Sequence, residues 1–363
     1  ILAAGAHLKN TFSLVKGDQI VCSEHIGDLE QAEVFQHYVR SIDHLRGLLD
    51  VEPEVVVCDL HPGYVSTQYA RRLTSSGVRI MEVQHHWAHV ASVLAEHQIH
   101  GPVIGLVADG TGYGTDGSIW GCECLIASLE RFERFGHMDT FPLAGGDRAA
   151  KEAIRPLTGL LMKAFGSDLS GCQWLLDRVD PDRAKQQVLR QQLIQGVHLV
   201  RTSSLGRVFD AVAAIVGLGA LNHFDAQLPM ALEAAVAPGV EDHYPFEVRT
   251  GAQGAILLDF STTIRAVVQD AEKGDSADRM SARFHSAVAQ GLFDMAGRAR
   301  EKTGLDTVAL SGGVFCNRVL MSRLIDLLRA AGLQVLFNRD IPSNDGGISV
   351  GQAAIAARLV GIG

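Results

Sequence analysis

The sequence predicts an α/β protein that carries a helical insertion. Short runs of β-branched residues ending in glycine or aspartate alternate with longer segments whose apolar residues recur at helical spacing. The stretch 150–240 interrupts this alternation, because it reads as successive helices separated by loops. With 47% hydrophobic and 20% charged residues, the 363-residue chain has the composition of a globular protein with a well-buried core.

Four segments carry the strand signals, and each ends in turn residues. EVVVCDLHPGY at 54–64 is a strand, and 102–129 reads as a strand, a glycine-rich turn and then either one or two further strands. The segments 307–317 and 333–347 are each a strand followed by a loop. The opening ILAAGAHLKN reads as a strand entering a loop, and its abrupt start without Met leads us to expect a fragment of a longer chain.

Three further segments, 28–50, 277–303 and 317–331, have apolar residues mostly at helical spacing. The last two are followed closely by glycine, a usual helix stop. These segments are therefore predicted to be helices that cover the strands.

Composition limits the partners and the location. The net charge of -9 argues against a nucleic-acid partner, although a small phosphate site built from backbone N–H groups stays compatible with it. The six cysteines form no CxxC pair, which is typical of reduced thiols in a cytoplasmic protein. No apolar run is long enough to cross a bilayer, so no membrane partner is expected.

VADGTGYGTDG is the first candidate for chemistry. A buried strand delivers Asp109 to a turn in which Gly110, Gly112 and Gly114 leave backbone N–H groups uncovered. Such a turn suits an anion or a metal–phosphate group, whereas a plain β-hairpin with TDG as its tight turn fits the same residues equally well. The missing Gly-Lys-Ser/Thr ending excludes a Walker A loop.

Two other turns favour a nucleotide. In LSGGVFCN, Gly312 and Gly313 open a helix whose N-terminus suits a phosphate, and Asn317 either contacts a nucleotide or caps the helix. In SSLGRVFD, Gly206 precedes Asp210 by four residues at a helix start. Asp210 either accepts hydrogen bonds from ribose hydroxyls or is an acidic residue favoured by the helix dipole, and alone the second interpretation is preferred.

QHHWAH is the motif that raises the question of a metal site. His85 and His89 are four residues apart, so on a helix they share a face and can hold a divalent metal, although this spacing alone is more often incidental. A site would need carboxylates, and Asp109 and Asp345 are the candidates. Asp345 is an N-cap by default, unless Asn344 caps instead and frees it. His86 and Trp87 are predicted to pack.

Together these motifs resemble a known family. Three strand–turn units in two α/β lobes resemble the two-lobed actin/hexokinase/Hsp70-like (ASKHA) fold with its RNase H-like sheets. LKNTF, SEHIGDLE, QHHWAH, DGTGYGTDG, SGGVFCN and NDGGISVGQ occur in the order found in the carboxy-terminal, TsaD-like domain of the hydrogenase maturation carbamoyltransferases HypF. The resemblance implies a first lobe at 1–100, completed by a C-terminal helix at about 346–363. It implies a second lobe at 101–345 that contains the insertion at about 150–240.

The resemblance also implies site residues. A divalent metal, iron or alternatively zinc, would be held by His85, His89 and Asp345, with Asp109 as the fourth ligand. Lys9 and Asp109 would act on the phosphate or carbamoyl-adenylate. ATP or carbamoyl-adenylate would be bound by glycines and polar residues of the three turns, namely Gly110, Thr111, Gly112, Gly114, Gly206, Asp210, Gly312, Gly313 and Asn317.

The implied reaction transfers a carbamoyl group from carbamoyl-adenylate to the C-terminal cysteine of a HypE-like partner, towards the cyanide ligands of [NiFe]-hydrogenase. Acylphosphatase, zinc-finger and adenylate-forming domains of the full-length family have no counterpart in these residues. O-carbamoyltransferases and TsaD-type tRNA threonylcarbamoyl transferases share the fold and are the alternatives, as is a nucleotide-binding module without transfer chemistry. Arg207 stands where TsaD-type proteins tend to carry Glu, which disfavours a TsaD substrate.

Overall fold

The structure, a computed structural model, describes residues 1–251 and 254–361. Helices and strands alternate along the chain, which confirms the predicted α/β class. The last helix runs over Ile348–Val360, and the final two residues of the predicted segment 346–363 lie outside the described residues. Within the described ranges, no helix is long and apolar enough to span a membrane.

The first sheet contains β1 (Leu2–Ala3), β2 (Ser13–Lys16), β3 (Gln19–Cys22), β4 (Val55–Asp59) and β5 (Arg79–Val83). Their order across the sheet is β3-β2-β1-β4-β5. The β1–β2 and β2–β3 pairs are antiparallel, whereas β1–β4 and β4–β5 are parallel. Every residue of β4 is buried, as expected of a continuous β-branched run in a covered parallel strand.

The second sheet is larger. It contains β6 (Val103–Tyr113), β7 (Ile119–Ala127), β8 (Phe132–Met138), β9 (Phe141–Ala144), β10 (Leu199–Thr202), β11 (Glu247–Thr250), β12 (Ile256–Asp259), β13 (Thr307–Ser311) and β14 (Gln334–Phe337). Its main path is β11-β12-β8-β7-β6-β13-β14, and β10 pairs with β7 and β9. The part β8-β7-β6-β13-β14 repeats the order and the antiparallel and parallel pairings of the first sheet.

Thirteen helices are described: α1 (Ala32–Leu49), α2 (Val65–Leu73), α3 (His85–Glu96), α4 (Arg148–Lys151), α5 (Ile154–Phe165), α6 (Gln173–Val179), α7 (Arg183–Gln195), α8 (Leu205–Ile215), α9 (Gln227–Ala234), α10 (Ser261–Lys273), α11 (Ala277–Thr303), α12 (Arg318–Ala330) and α13 (Ile348–Val360). The predicted helices at 28–50, 277–303 and 317–331 are confirmed as α1, α11 and α12. The predicted helical stretch 150–240 contains α5 to α9, but the sequence interpretation missed strand β10 inside it.

Helices α3 and α13 cross each other between the two sheets. Helix α3 packs on β6 and β13 of the second sheet, and α13 packs on β1 and β2 of the first. A Cβ atom on Gly351 of α13 would lie 1.9 Å from the carbonyl oxygen of Ala88 in α3, so only glycine allows this close approach. Buried residues of both helices join both sheets in one apolar cluster, in which each buried Val or Leu contributes about 1.5–3 kcal/mol. The crossing therefore holds the lobes together and brings the two helix N-termini close to one place.

Candidate metal centre

Four side chains predicted from separate parts of the sequence meet where α3, α13 and β6 approach one another. One ligand atom from each of His85, His89, Asp109 and Asp345 lies within 4.8 Å of the others. The Nε2 atom of His85 is 3.4 Å from Asp109 Oδ2 and 3.7 Å from Asp345 Oδ1. The Nε2 atom of His89 is 3.8 Å and 3.9 Å from the same two oxygens.

The histidine pair lies in the first turns of α3, with both side chains fully buried. The helix starts there because the Gln84 side chain caps it, accepting a hydrogen bond of 2.8 Å from the Trp87 N–H. Helical spacing then places His85 and His89 one turn apart on the same face, with ring centroids 5.0 Å apart.

Asp109 comes from β6 and connects two of the predicted turns. Its Oδ1 accepts a 3.1 Å hydrogen bond from the Gly313 N–H, in the turn that follows β13. Strands β6 and β13 are neighbours and parallel, so their carboxyl ends lie at the same edge of the sheet. The second carboxylate oxygen, Oδ2, is left facing the two imidazoles.

Asp345 is free to act as a ligand because Asn344 takes the capping role. The Asn344 side chain accepts a 3.0 Å hydrogen bond from the Gly346 N–H at the start of the 3₁₀ turn Asp345–Gly347, which leads directly into α13. Of the two arrangements considered from the sequence, the structure has the one in which Asn344 caps.

The donor set fits a divalent metal. His85 Nε2, His89 Nε2 and Asp109 Oδ2 are buried and have no hydrogen-bond partner among the described residues, and an orphaned buried polar atom is costly. Two ligands that each lie about 2.1 Å from one ion are about 3–4 Å apart, which matches the distances between imidazole nitrogens and carboxylate oxygens. Imidazole with carboxylate suits iron(II) or zinc.

A fifth residue supports the cluster, and the sequence interpretation missed it. Asp59, at the end of β4, is fully buried, and its Oδ2 lies 2.7 Å from His85 Nδ1. A proton on Nδ1, shared with this carboxylate, leaves the Nε2 lone pair directed at the cluster. The other oxygen of Asp59 accepts a 2.8 Å bond from the His61 N–H. The available signal was a carboxylate at the end of a buried strand, the same signal that identified Asp109.

The electrostatics of the cluster favour positive charge. Burial lowers the pKa of the His85 imidazole, but its three carboxylate neighbours outweigh burial and raise that pKa well above its ordinary value. Burial raises the pKa of Asp109, yet the adjacent His85 and His89 imidazoles together outweigh burial and hold that pKa well below its usual range. A proton or a metal cation therefore satisfies the same unbalanced negative charge.

The glycine-rich turn forms a β-hairpin, and the backbone of one of its glycines, Gly110, has free space beside it. Strand β6 continues through Gly112 with an irregular register, and a turn around Asp116 leads into β7. A Cβ on Gly112 would lie 2.3 Å from the His86 ring, and one on Gly114 would lie 2.2 Å from Trp120, so these two glycines are needed for packing. A Cβ on Gly110 would meet nothing within 4 Å, and Thr111 beside it is exposed. Gly110 is thus the position where backbone is open to a ligand.

The turn after β13 is tightly built. Gly312 has φ 110°, and a Cβ there would lie 2.3 Å from the Ala108 carbonyl oxygen. Its neighbour Gly313 contacts Asp109. Asn317 caps α12 by accepting from the Leu320 N–H at 2.9 Å, so its capping role is confirmed, while a nucleotide contact stays a prediction.

Gly206 and Asp210 belong to α8. A Cβ on Gly206 would lie 3.0 Å from the Gly110 Cα, so the start of α8 packs directly beneath the hairpin. The Asp210 carboxylate is fully buried, where it accepts 2.8 Å from Asn222 Nδ2 and lies 2.8 Å from Arg207 Nε. Its predicted contact with ribose stays a prediction.

Lys9 lies in the loop after β1. Its backbone has φ 48° and donates to Asp28 Oδ1 at 2.9 Å, which joins the LKNTF and SEHIGDLE motifs. Its Nζ pairs with Asp225, which lies between α8 and α9. Burial lowers the pKa of Lys9, but the hydrogen bond to Asp225 and the negative charges of Asp225, Asp345 and Asp109 together outweigh burial, so the net shift is upward and the side chain stays charged.

The remaining two residues of the QHHWAH motif pack, as predicted. The His86 ring lies 6.1 Å from the Trp120 ring, and burial lowers its pKa well below the ordinary value. Trp87 Nε1 donates to the Ser128 carbonyl at 2.7 Å.

Two family profiles match the chain. The profile described as HypF Kae1-like domain matches residues 1–96. The profile described as carbamoyltransferase, Kae1-like domain, second subdomain, matches residues 105–352.

Individual relatives agree with these profiles. Carbamoyltransferase HypF of Rhizobium leguminosarum bv. viciae is 38% identical over 99% of this chain and 45% of its own length, so the chain spans about half of that relative. A HypF homologue of Cupriavidus necator is 36% identical over 99% of the chain and 91% of its own length. A solved full-length HypF in the phosphate- and nucleotide-bound form has 39% identity and a TM-score of 0.92, covering 99% of this chain and 55% of that one. The two-lobed ASKHA fold is thereby confirmed, and the chain belongs to the HypF carbamoyltransferase family.

Proposed function

We propose that this chain transfers the carbamoyl group of carbamoyl-adenylate to the C-terminal cysteine thiol of a HypE-like protein. The product thiocarbamate would be converted into a cyanide ligand of [NiFe]-hydrogenase. The observation that carries the proposal is the cluster of His85, His89, Asp109 and Asp345 where α3, α13 and β6 meet, next to turns that suit an adenylate. The full-length HypF structure that is similar over nearly the whole chain is in a phosphate- and nucleotide-bound form, which supports nucleotide binding as part of the proposal.

A divalent metal, iron in our proposal, would be held by His85, His89, Asp109 and Asp345. When bound, it would supply positive charge next to the phosphate or the carbamoyl carbonyl, where negative charge develops during transfer. The chain's contribution is to hold these four ligands in place, with Asp59 orienting His85 through the 2.7 Å contact.

Other groups of the chain would bind the anionic part of the adenylate. The open backbone at Gly110 allows close approach, and the N-termini of α3 and α13 direct their positive ends towards the cluster. Lys9 would add a cation from the first lobe once its pairing with Asp225 is exchanged for a substrate oxygen. Because these groups come from both lobes, substrate binding would close the cleft and exclude water from the labile anhydride.

The reaction needs little acid–base work. The acceptor sulfur, as thiolate, forms a C–S bond to the carbamoyl carbon, and the bond from that carbon to the phosphate oxygen breaks. AMP leaves with the electron pair, so the carbamoyl donor is already activated. No cysteine of this chain is required as nucleophile. We place the reaction in the cytoplasm, since all six cysteines of the chain are free thiols.

The metal assignment can be tested by elemental analysis. We expect wild-type protein to carry about one equivalent of metal, and His85→Ala and Asp345→Ala to lose most of it, because each removes one of four ligands. His86→Leu is the matched control, since His86 is equally buried on the same helix but packs on Trp120. Unchanged metal content in both ligand variants would contradict the site.

The transfer can be tested with synthetic carbamoyl-adenylate and a peptide that ends in cysteine. Mass spectrometry should show a carbamoylated thiol and released AMP with wild-type protein. A peptide ending in serine is the control for the acceptor atom. An unmodified cysteine peptide in the presence of metal-loaded protein would count against the proposed function.

A further inference from the structure

The second histidine of the cluster, His89, has a hydrogen-bond partner on the side of its ring that faces away from the cluster. Its Nδ1 lies 3.3 Å from the hydroxyl oxygen of Ser311, at the end of β13, and both side chains are fully buried. Its other ring nitrogen, Nε2, is buried without a hydrogen-bond partner among the described residues. Only a ring nitrogen without a proton can bind a metal, so the function of His89 depends on which nitrogen carries the proton.

Ser311 belongs to a chain of hydrogen bonds that ends at a carboxylate. The Asn338 side chain, just after β14, donates from Nδ2 to Glu96 Oε2 at 3.0 Å. Since Nδ2 faces Glu96, the amide oxygen of Asn338 is left for Ser311, whose hydroxyl donates to it at 3.1 Å. The Ser343 carbonyl oxygen, 3.3 Å away, is a second acceptor for the same hydroxyl. Both of these oxygens can only accept, so the Ser311 proton points away from His89.

Glu96 sets the direction of this chain. Burial raises the pKa of its carboxyl, but hydrogen bonds from the backbone of residues 339–341 and from the Asn338 side chain outweigh burial and lower that pKa. The ionised carboxylate can only accept, which fixes the orientation of the Asn338 amide. Glu96 Oε1 accepts from the Arg339 and Asp340 N–H groups at 2.8 Å and 2.9 Å, and thereby also holds the loop that runs on towards Asp345.

We propose that Ser311 is a positioning residue for His89: its oxygen accepts the Nδ1 proton, so that the Nε2 lone pair is directed at the cluster. The inference deepens the proposed function and rests on its metal site. The reverse arrangement, with Ser311 donating to Nδ1, would place the proton on Nε2 and would remove a donor from Asn338. The chosen arrangement satisfies every one of these polar groups and leaves only Nε2 free.

The two histidines are then held in the same way but by unequal partners. Asp59 of the first sheet contacts His85 Nδ1 at 2.7 Å, and Ser311 of the second sheet contacts His89 Nδ1 at 3.3 Å. A hydrogen bond to a carboxylate is roughly twice as strong as one between neutral groups. We therefore expect loss of Ser311 to weaken metal binding less than loss of the Asp59 charge.

The first experiment measures zinc(II) binding to the metal-free chain by competition with a chromophoric chelator. Ser311→Ala should bind zinc about tenfold more weakly, the lower end of the range typical when a partner of a metal ligand is removed. Ser92→Ala is the matched control, since Ser92 is equally buried and its hydroxyl contacts the His89 backbone oxygen and Asn338 but not the imidazole. This control should stay within about twofold of the wild-type affinity.

The second experiment needs no variant. Proton–nitrogen NMR of the zinc-loaded wild-type protein should show a proton on His89 Nδ1 and none on Nε2, because Nε2 is the proposed ligand atom. In zinc-loaded Ser311→Ala, the Nδ1–H proton should resonate at lower chemical shift, because its acceptor is gone. A residue that only fills space would leave this resonance unchanged.

Unchanged zinc affinity in Ser311→Ala, an equal loss in Ser92→Ala, or a proton on Nε2 of His89 in the zinc-loaded protein would overturn the role of Ser311. The proposed function would then still stand, since the transfer assay tests it separately. A wild-type protein that binds no zinc would contradict the metal site, and the inference with it.

Discussion

The two sheets share one topology but use it differently. In each, the first strand is central, the second and third follow antiparallel on one side, and the fourth and fifth follow parallel on the other. In the second sheet, the first strand, β6, presents Asp109 to the candidate metal cluster. In the first sheet, the carboxylate is Asp59 at the end of the fourth strand, β4, and it contacts His85 from behind at 2.7 Å.

This difference shows that a carboxylate on a central strand can have either of two roles. It can face the candidate metal position, or it can orient a residue that does. Asp59 is wholly buried and uses both oxygens within the protein, on His85 Nδ1 and the His61 N–H. Asp109 uses only one oxygen within the protein, on Gly313, and the other faces the imidazoles. The second sheet therefore supplies one residue of the candidate cluster, and the first sheet orients His85, a helix residue that belongs to neither sheet.

The largest effect is expected from Asp109→Asn. The amide keeps an oxygen for the Gly313 N–H but loses the charge that faces both imidazoles, so metal should be lost nearly completely. Metal per chain is measured by mass spectrometry. Asp116→Asn, in the same hairpin and half exposed, is the control and should retain the metal. Full metal content in Asp109→Asn would remove the distinction between the two carboxylates.

A smaller effect is expected from Asp59→Asn. All four ligands remain, but the orientation and tautomer of His85 are less firmly held, so metal affinity should fall about 10–100-fold. Competition with a chelator measures this affinity. Thr67→Val is the control, because the Thr67 hydroxyl donates 3.1 Å to the backbone oxygen of Asp59 and not to its carboxylate. A loss as complete as that of Asp109→Asn would mean that Asp59 is itself a ligand.

The proximity of the four side chains of the candidate site could be predicted because each lies in a recognisable local pattern. His85 and His89 are one helical turn apart, and Asp109 and Asp345 lie beside glycines at turns. Asp59 was missed because 26 positions separate it from His85, and only the parallel pairing of β4 with β5 brings the two together. Burial of the Asp210 carboxylate could not be predicted either, because it depends on contacts with Asn222 and Arg207.

The fold was predictable where periodicity is strong. Helix α11 has the predicted bounds 277–303, since its apolar spacing is long and Gly304 ends it. Strand β10 was missed because Leu199–Thr202 is only four residues long and gains its stability from pairing with β9. The duplication of the two sheets left no repeat in the sequence, because topology constrains strand order and burial far more than residue identity.

Two glycines, Gly312 and Gly110, are expected to differ in how much an alanine substitution lowers stability. Gly312→Ala should lower the free energy of unfolding by about 1–3 kcal/mol, since its φ of 110° is strained for alanine and the Cβ would lie 2.3 Å from the Ala108 oxygen. Gly110→Ala is the control within the same cleft and should change stability by less than about 0.5 kcal/mol, because its Cβ meets nothing. Urea denaturation measures both. Equal losses would mean that the open position at Gly110 is also structural.

The smallest expected effect is a loss of folding stability at acidic pH, caused by His285 of α11. The buried His285 ring lies 2.8 Å from the Ser281 carbonyl through Nδ1 and 2.9 Å from Asn317 Nδ2 through Nε2, which fits the neutral tautomer. Burial, the largest cause, lowers the pKa of His285 to about 4. Because this pKa lies below the unfolded value of about 6.5, the stability it contributes is present above that pH and is lost as the pH falls towards 4.

Between pH 7 and pH 5 this histidine should therefore cost the wild-type protein at most about 2 kcal/mol, at about 1.4 kcal/mol per unit of pKa shift. His285→Leu should be less stable at pH 7, because Asn317 Nδ2 loses its acceptor, but its stability should vary less with pH. Urea denaturation at both pH values gives the difference in slope. Since His285 contacts the residue that caps α12, a reduced slope would locate the acid-sensitive contact in the second lobe. An unchanged slope would move it elsewhere, with the carboxylates of the first lobe as the next groups to vary.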